Sequence, residues 1–183
     1  GFTPGSTAGI DSATVNITGS PYYYEITGLS EGAVYDCYLQ ADCGADDLSE
    51  WAGPVLIATA NINDQCENAT AIGEVYEMQY TTLSATADGP GGCVSSPNIW
   101  YNFIAPADGD LVITTRGSQY DTKLALYDSF DCVTMNKIGC DDESGPGTSS
   151  ILRKMDVTAG DEFKIEVGGS FSNTGIGLLT IDL

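Results

Sequence analysis

The chain has 183 residues, 42 % of them hydrophobic, with 26 acidic against 6 basic side chains, no histidine and a net charge of −20. That charge repels phosphate backbones and anionic membrane surfaces, which argues against nucleic acid as a partner. The missing histidine removes Ser-His-Asp, Cys-His and imidazole-metal chemistry, and no apolar run approaches the roughly 20 residues of a membrane span, which argues against membrane insertion. Six cysteines and 22 glycines punctuate short alternating segments. The pattern predicts an all-β, secreted or cell-surface protein from an oxidising compartment.

In chain order, alternation predicts strands at 13–18, 22–27, 35–41 and 55–59, with no helical periodicity. Tyr22, Tyr23 and Tyr24 stand in a row, so at least one ring faces outward on a strand, where it can stack on a sugar or a protein partner. Tyr35 follows the turn Leu29-Ser-Glu-Gly32; a tyrosine placed there can bond its hydroxyl to backbone just upstream, a device of Greek-key sandwiches. Cys37, Leu39 and Ala41 share its phase and are expected to face a core.

The stretches "GFTPG", "ITGLSEGAVYDCYLQADCG" and "SEWAGPVLIAT" resemble the second half of a fibronectin type III domain, in the style of secreted modular proteins of Bacteroidota. The resemblance covers residues 1–60 and implies strands C′ to G of an incomplete sandwich. Strands A, B and C are then either lost by truncation or supplied by another copy, because an isolated hairpin is marginal in water. In either case Tyr35, Leu39 and Val55 need outside strands to be covered.

Asn61 to Cys66 is a polar, turn-prone stretch that marks a boundary. Beyond it, strands are predicted at 75–83, 98–105, 110–115, 122–128, 149–156, 161–168 and 176–182, enough for a jelly-roll-like sandwich. "NDQCENATAI", "CVSSPNIWYNFIAPADGDLVITTRGSQYDTKLALYD", "CDDESG" and "VTAGDEFKIEVGG" are similar to the bacterial pre-peptidase C-terminal domain, an accessory sandwich of secreted proteins. Asn98 departs from that pattern, which usually has Asp before the Trp-Tyr pair. The whole chain therefore reads as two β-sandwich domains, 1–60 and 61–183.

Cys132 and Cys140 flank a short loop and are expected to pair. The resemblance implies a second bridge between Cys66 and Cys93. Cys37 is read as a buried free thiol, and Cys43 as lacking a partner in this chain. Asp121, Asp128, Asp141 and Asp142 lie at strand ends, where clustered oxygen donors suit Ca²⁺, although aspartates also cap turns through their own backbone; Asp64 and Glu67 are a weaker second group. Trp100 and Tyr101 alternate across one strand, so Trp100 is expected in the core and Tyr101 on the sheet surface as a contact residue. A glycosidase needs two carboxylates in a cleft, and nothing in the pattern marks one.

These features together predict a non-catalytic extracellular module of a larger protein, which binds polysaccharide or matrix or serves as a spacer. The alternative is a repeating subunit of a filament or adhesin stalk, in which another copy of the chain completes the first domain.

Overall fold

The computed structural model describes residues 26–41, 44 and 47–183, and among these there is no α-helix. Tyr22, Tyr23, Tyr24 and Cys43 lie outside the described residues. The described residues divide into two compact units: one holds 26–30 and those of Val34–Ile57, the other Ala58–Leu183 with Glu31–Ala33.

In the first unit, β1 (Val34–Leu39) and β2 (Ala52–Ala58) form a two-stranded sheet. The backbone N–H of Ser30 donates to the Tyr35 hydroxyl at 2.9 Å, the upstream bond expected of that tyrosine. Cys37 is a half-buried free thiol. Leu39 is 75 % and Val55 60 % exposed, so these two side chains, expected in a core, stand in solvent.

The second unit is a two-sheet sandwich. Its strands are β3 (Thr70–Ile72), β4 (Val75–Thr81), β5 (Asn98–Ile104), β6 (Gly109–Thr114), β7 (Thr122–Tyr127), β8 (Lys137–Asp141), β9 (Ile151–Val157), β10 (Glu162–Gly169) and β11 (Ile176–Asp182). One sheet has the order β3-β5-β10-β7-β8 and the other β4-β11-β6-β9, so the chain changes sheet at almost every connection. All pairings in these sheets are antiparallel except β3 with β5.

All seven strands expected in this region form. β3 and β8 are additional, because three residues carry no readable period and β8 is interrupted by Gly139. That glycine lies where a Cβ would press on Leu152 and Leu126, a close approach of strand to core.

Period-2 alternation then builds the main core. Ile99, Tyr101 and Phe103 of β5, Leu124 and Leu126 of β7, and Phe163, Ile165 and Val167 of β10 face the other sheet. There they meet Leu111, Ile113, Leu152, Leu179 and Ile181. Tyr101 is only 7 % exposed and belongs to this core, so its expected place as a surface contact is corrected.

The opposite face of the five-stranded sheet is also closed. Trp100, Ala125 and Tyr127 lie there with Cys66, Cys93, Val94 and Met135 from the covering segments. Trp100 is therefore buried as expected, but on the face away from the sandwich interior. The same alternation sends Lys164 and Glu166 of β10 into this second cluster, and both are buried. Buried charge survives only with partners.

Glu166 has them: the Tyr127 hydroxyl donates to its Oε2 at 2.6 Å and the Asn98 amide to its Oε1 at 2.5 Å. Trp100 Nε1 donates to Asp88 Oδ1 at 2.5 Å, and the Asn98 amide also donates to the Asp88 carbonyl at 2.8 Å. The sequence 83–97 is thereby laid onto the sheet. Gly89, at φ +99°, leaves the space that the Trp100 ring occupies.

Two disulfides hold the covering segments, and their pairing is Cys66–Cys132 and Cys93–Cys140. This corrects the expected partners. Tyr127 pairs with Lys137 at the β7–β8 connection, and Cys140 lies three residues further along β8, opposite Ala125. Three strand residues span about 10 Å, which carries Cys140 away from the loop that holds Cys132. The observed bridges close separations of 66 and 47 residues. In the chain-entropy treatment each stabilises by about 4 kcal/mol, more than a bridge across the short loop would.

Burial, then the nearby Asp88, raises the Glu166 carboxyl to about 7, against the bonds from Tyr127 and Asn98 and the charge of Lys137. The folded state therefore holds this proton more tightly than the unfolded chain. Its stabilising contribution is complete below the unfolded value near 4.5 and is lost as pH rises through about 7. Glu166→Gln mimics the protonated group. Chemical denaturation across pH 4.5 to 8 should show the variant gaining up to about 3 kcal/mol on the wild type over that range. Parallel curves for the two proteins would contradict the assignment.

Candidate functional site

One end of the five-stranded sheet gathers the start of β7, the end of β8 and the turn after β10. The position of each part follows from a buried hydroxyl cluster. Thr115 Oγ1 and Thr122 Oγ1 are 2.6 Å apart, and the Ser150 N–H donates to Thr115 Oγ1 at 2.9 Å. Ser150 Oγ lies 2.7 Å from the Thr122 carbonyl and 2.8 Å from that of Asp142. Thr and Ser suit this position because one short side chain both donates and accepts.

On this base stand Asp121 and Asp142. Lys123 Nζ is 3.2 Å from Asp142 Oδ2, and Ser170 Oγ donates to the same oxygen at 3.5 Å. The Ser170 N–H donates to the Asp121 carbonyl at 3.0 Å. Asp121 Oδ1 and Asp142 Oδ1 are both shielded from solvent and make no hydrogen bond. Burial, then the Asp142 charge, raises the Asp121 carboxyl above its usual value, with Lys123 opposing. An acceptor buried without a partner carries an uncompensated cost, which a hydroxyl donor relieves only where the turn after β10 shifts to admit it.

Phe171 follows Ser170 in the chain. It is 86 % exposed and its backbone has φ +57°, a conformation uncommon for a bulky side chain. An aromatic ring held in solvent offers a flat apolar face in the turn whose Ser170 contacts Asp142.

The four aspartates expected to bind one metal do not converge. Among the described residues no group of three or more His, Cys, Asp or Glu side chains is placed to hold an ion. Asp128 accepts from the Asn136 N–H at 2.9 Å and from its amide at 3.2 Å, which closes the loop after β7. Asp141 accepts from the Ser144 N–H at 3.1 Å, the Ser144 hydroxyl and the Ile151 N–H at 2.8 Å. Both therefore serve as turn caps. Only Asp121 and Asp142 keep oxygens without a partner. Asp64 is likewise occupied, accepting from the Thr86 N–H at 2.6 Å and its hydroxyl at 2.8 Å.

Lys123 and Phe171 were not among the sequence candidates. Lys123 occupies an ordinary outward strand position, whereas Phe171 carried a signal, being the one aromatic residue in the turn-rich run Gly168 to Gly175.

Two solved structures are similar in part. The pre-peptidase C-terminal domain of collagenase from Bacillus anthracis shares 14 % identity, covering 62 % of this chain and 94 % of that one, with a TM-score of 0.44. PliG from Aeromonas hydrophila, a periplasmic inhibitor of g-type lysozyme, shares 12 % identity, covering 62 % of this chain and 97 % of that one, with a TM-score of 0.36. No curated protein matches the chain in sequence. A T9SS-associated family described as galactose binding domain-like matches residues 62–180, and the chain belongs to that family.

Proposed function

We propose that the chain is a non-catalytic extracellular module that binds carbohydrate, with Asp121, Asp142, Lys123 and Phe171 as its contact residues. The observation that carries this reading is the exposed Phe171 ring in the turn whose Ser170 contacts Asp142, a carboxylate side chain that is itself 43 % exposed. Carboxylates accept from sugar hydroxyls, and an aromatic face stacks on the apolar side of a pyranose ring. Membership of the galactose binding domain-like family supports a sugar as ligand. The family's T9SS association and the two disulfides support an extracellular or cell-surface location.

Calcium belongs to the same end in this reading. Asp121 and Asp142 would supply two of the six to eight oxygens that Ca²⁺ takes, with carbonyls and water supplying the rest. The ion would compete with Lys123 for Asp142, so binding is weak.

A second reading, assembly into a filament, is favoured by the β1–β2 pair with Leu39 and Val55 in solvent. The bond between Ser30 and Tyr35 supports a fibronectin type III origin for this segment, and strands from another copy would cover those side chains. Copies joined head to tail in this way would form an open fibre.

Three measurements test these readings. Titration of the whole chain with galactose-terminated oligosaccharides, followed by NMR, should show saturable shifts at residues 121–123, 142 and 170–171. Asp142→Asn and Phe171→Ala should each weaken binding at least about tenfold, or about 1.4 kcal/mol. Unchanged affinity in both variants would exclude this site. For calcium, the melting temperature should rise between chelator and millimolar Ca²⁺ in the wild type but not in Asp142→Asn; superimposable wild-type curves would remove the ion. For assembly, sedimentation should show species growing with concentration that Leu39→Lys disperses, and a monomer at all concentrations would sink the filament.

A further inference from the structure

Lys164 is the other charge on the closed outer face of β10, and it is 1 % exposed. Its ammonium donates to the Cys66 carbonyl at 2.8 Å and lies 3.1 Å from Cys132 Sγ and 3.4 Å from Cys66 Sγ. A buried amine against both sulfurs of a disulfide has no role in the contact site at the sheet end.

We propose that Lys164 makes Cys66–Cys132 an exchange-labile latch, which an external dithiol opens before Cys93–Cys140. A cation beside a sulfur stabilises its thiolate, and a thiolate of lower pKa is the better leaving group in thiol–disulfide exchange. Burial pulls the Lys164 pKa down, while the carboxylates Glu67, Asp88 and Asp131 around it act to keep it charged. At the second bridge Cys93 Sγ faces the Leu124 carbonyl at 3.3 Å, and the nearby Lys137 ammonium donates to the Gly92 carbonyl at 2.9 Å, whereas Lys164 lies against both sulfurs of its bridge.

Cys66 is buried and Cys132 half-buried, so attack falls on Cys132. A thiolate of the dithiol bonds to Cys132 Sγ, the Sγ–Sγ bond breaks, and its electron pair leaves on Cys66 Sγ beside the Lys164 ammonium. The second thiol of the reductant then displaces Cys132 as thiolate. The dithiol is oxidised by two electrons and the bridge reduced by two. Opening frees the turn Cys66–Asn68 from the loop after β7, and both lie over Trp100 and Tyr127.

Solvent access alone argues for the opposite order, because Cys140 is exposed whereas neither sulfur residue of the proposed latch is. The test therefore separates the two causes. The folded, oxidised full chain is exposed to dithiothreitol for increasing times, alkylated, and read by peptide mass spectrometry. Labelling should reach Cys66 and Cys132 first. Lys164→Gln should slow that bridge about tenfold, and Lys164→Arg, which keeps the charge, should restore most of the rate. Should Lys164→Gln fail to fold, the order of opening in the wild type still decides. Opening of Cys93–Cys140 first, or equal rates in wild type and a folded Lys164→Gln, would overturn the proposal.

Discussion

Everything in the larger unit depends on β10 being buried on both faces. It is the middle strand of its sheet, with β5 on one side and β7 on the other. Phe163, Ile165 and Val167 fill the sandwich interior, so Lys164, Glu166 and Gly168 must point the other way. In a sheet with one solvated face those positions would meet water. Here they meet a covering layer, and each charge needs a specific partner set: Tyr127 and Asn98 for Glu166, and the Cys66 carbonyl and sulfurs for Lys164. The covering segments contribute little regular structure, and the two long-range disulfides supply the constraint that a third layer of secondary structure would otherwise give.

This arrangement separates stability from contact. The closed face holds the aromatic and ionisable groups that would draw attention in a search for chemistry, yet Trp100, Tyr127 and Glu166 are inaccessible. The sheet end is different. Its backbone is fixed by Thr115, Thr122 and Ser150, and upon that base two carboxylate oxygens and one ring remain unused.

Much of this was legible from residue pattern, and the misses share a cause. Among the described residues alternation located each long strand, because period 2 is a local property; the strands expected at 13–18 and 22–27 lie wholly or mostly outside those residues. Alternation also marked a strand over 161–168, but "FKIEVGG" reads as one wet and one dry face. Nothing local shows that loops cover the charged side. The same blindness set Tyr101 outside: both neighbours are buried, on opposite faces of one strand. Disulfide partners depend on where loops return, so Cys132 and Cys140, close in sequence, are held apart by the run of β8. The aspartates were correctly seen at strand ends, but hydrogen bonding decides which ones cap turns, and two of the four were already used as caps.

The central claim, a second closed layer on the outer face of the five-stranded sheet, is tested most directly by the indole N–H of Trp100. Trp51 is 41 % exposed and provides an internal reference in the same molecule. After transfer of the folded, oxidised chain to D₂O, the Trp100 indole proton, bound to Asp88 under the covering layer, should persist in NMR spectra long after that of Trp51 has exchanged. Loss of both signals together would mean that the outer face is open to water.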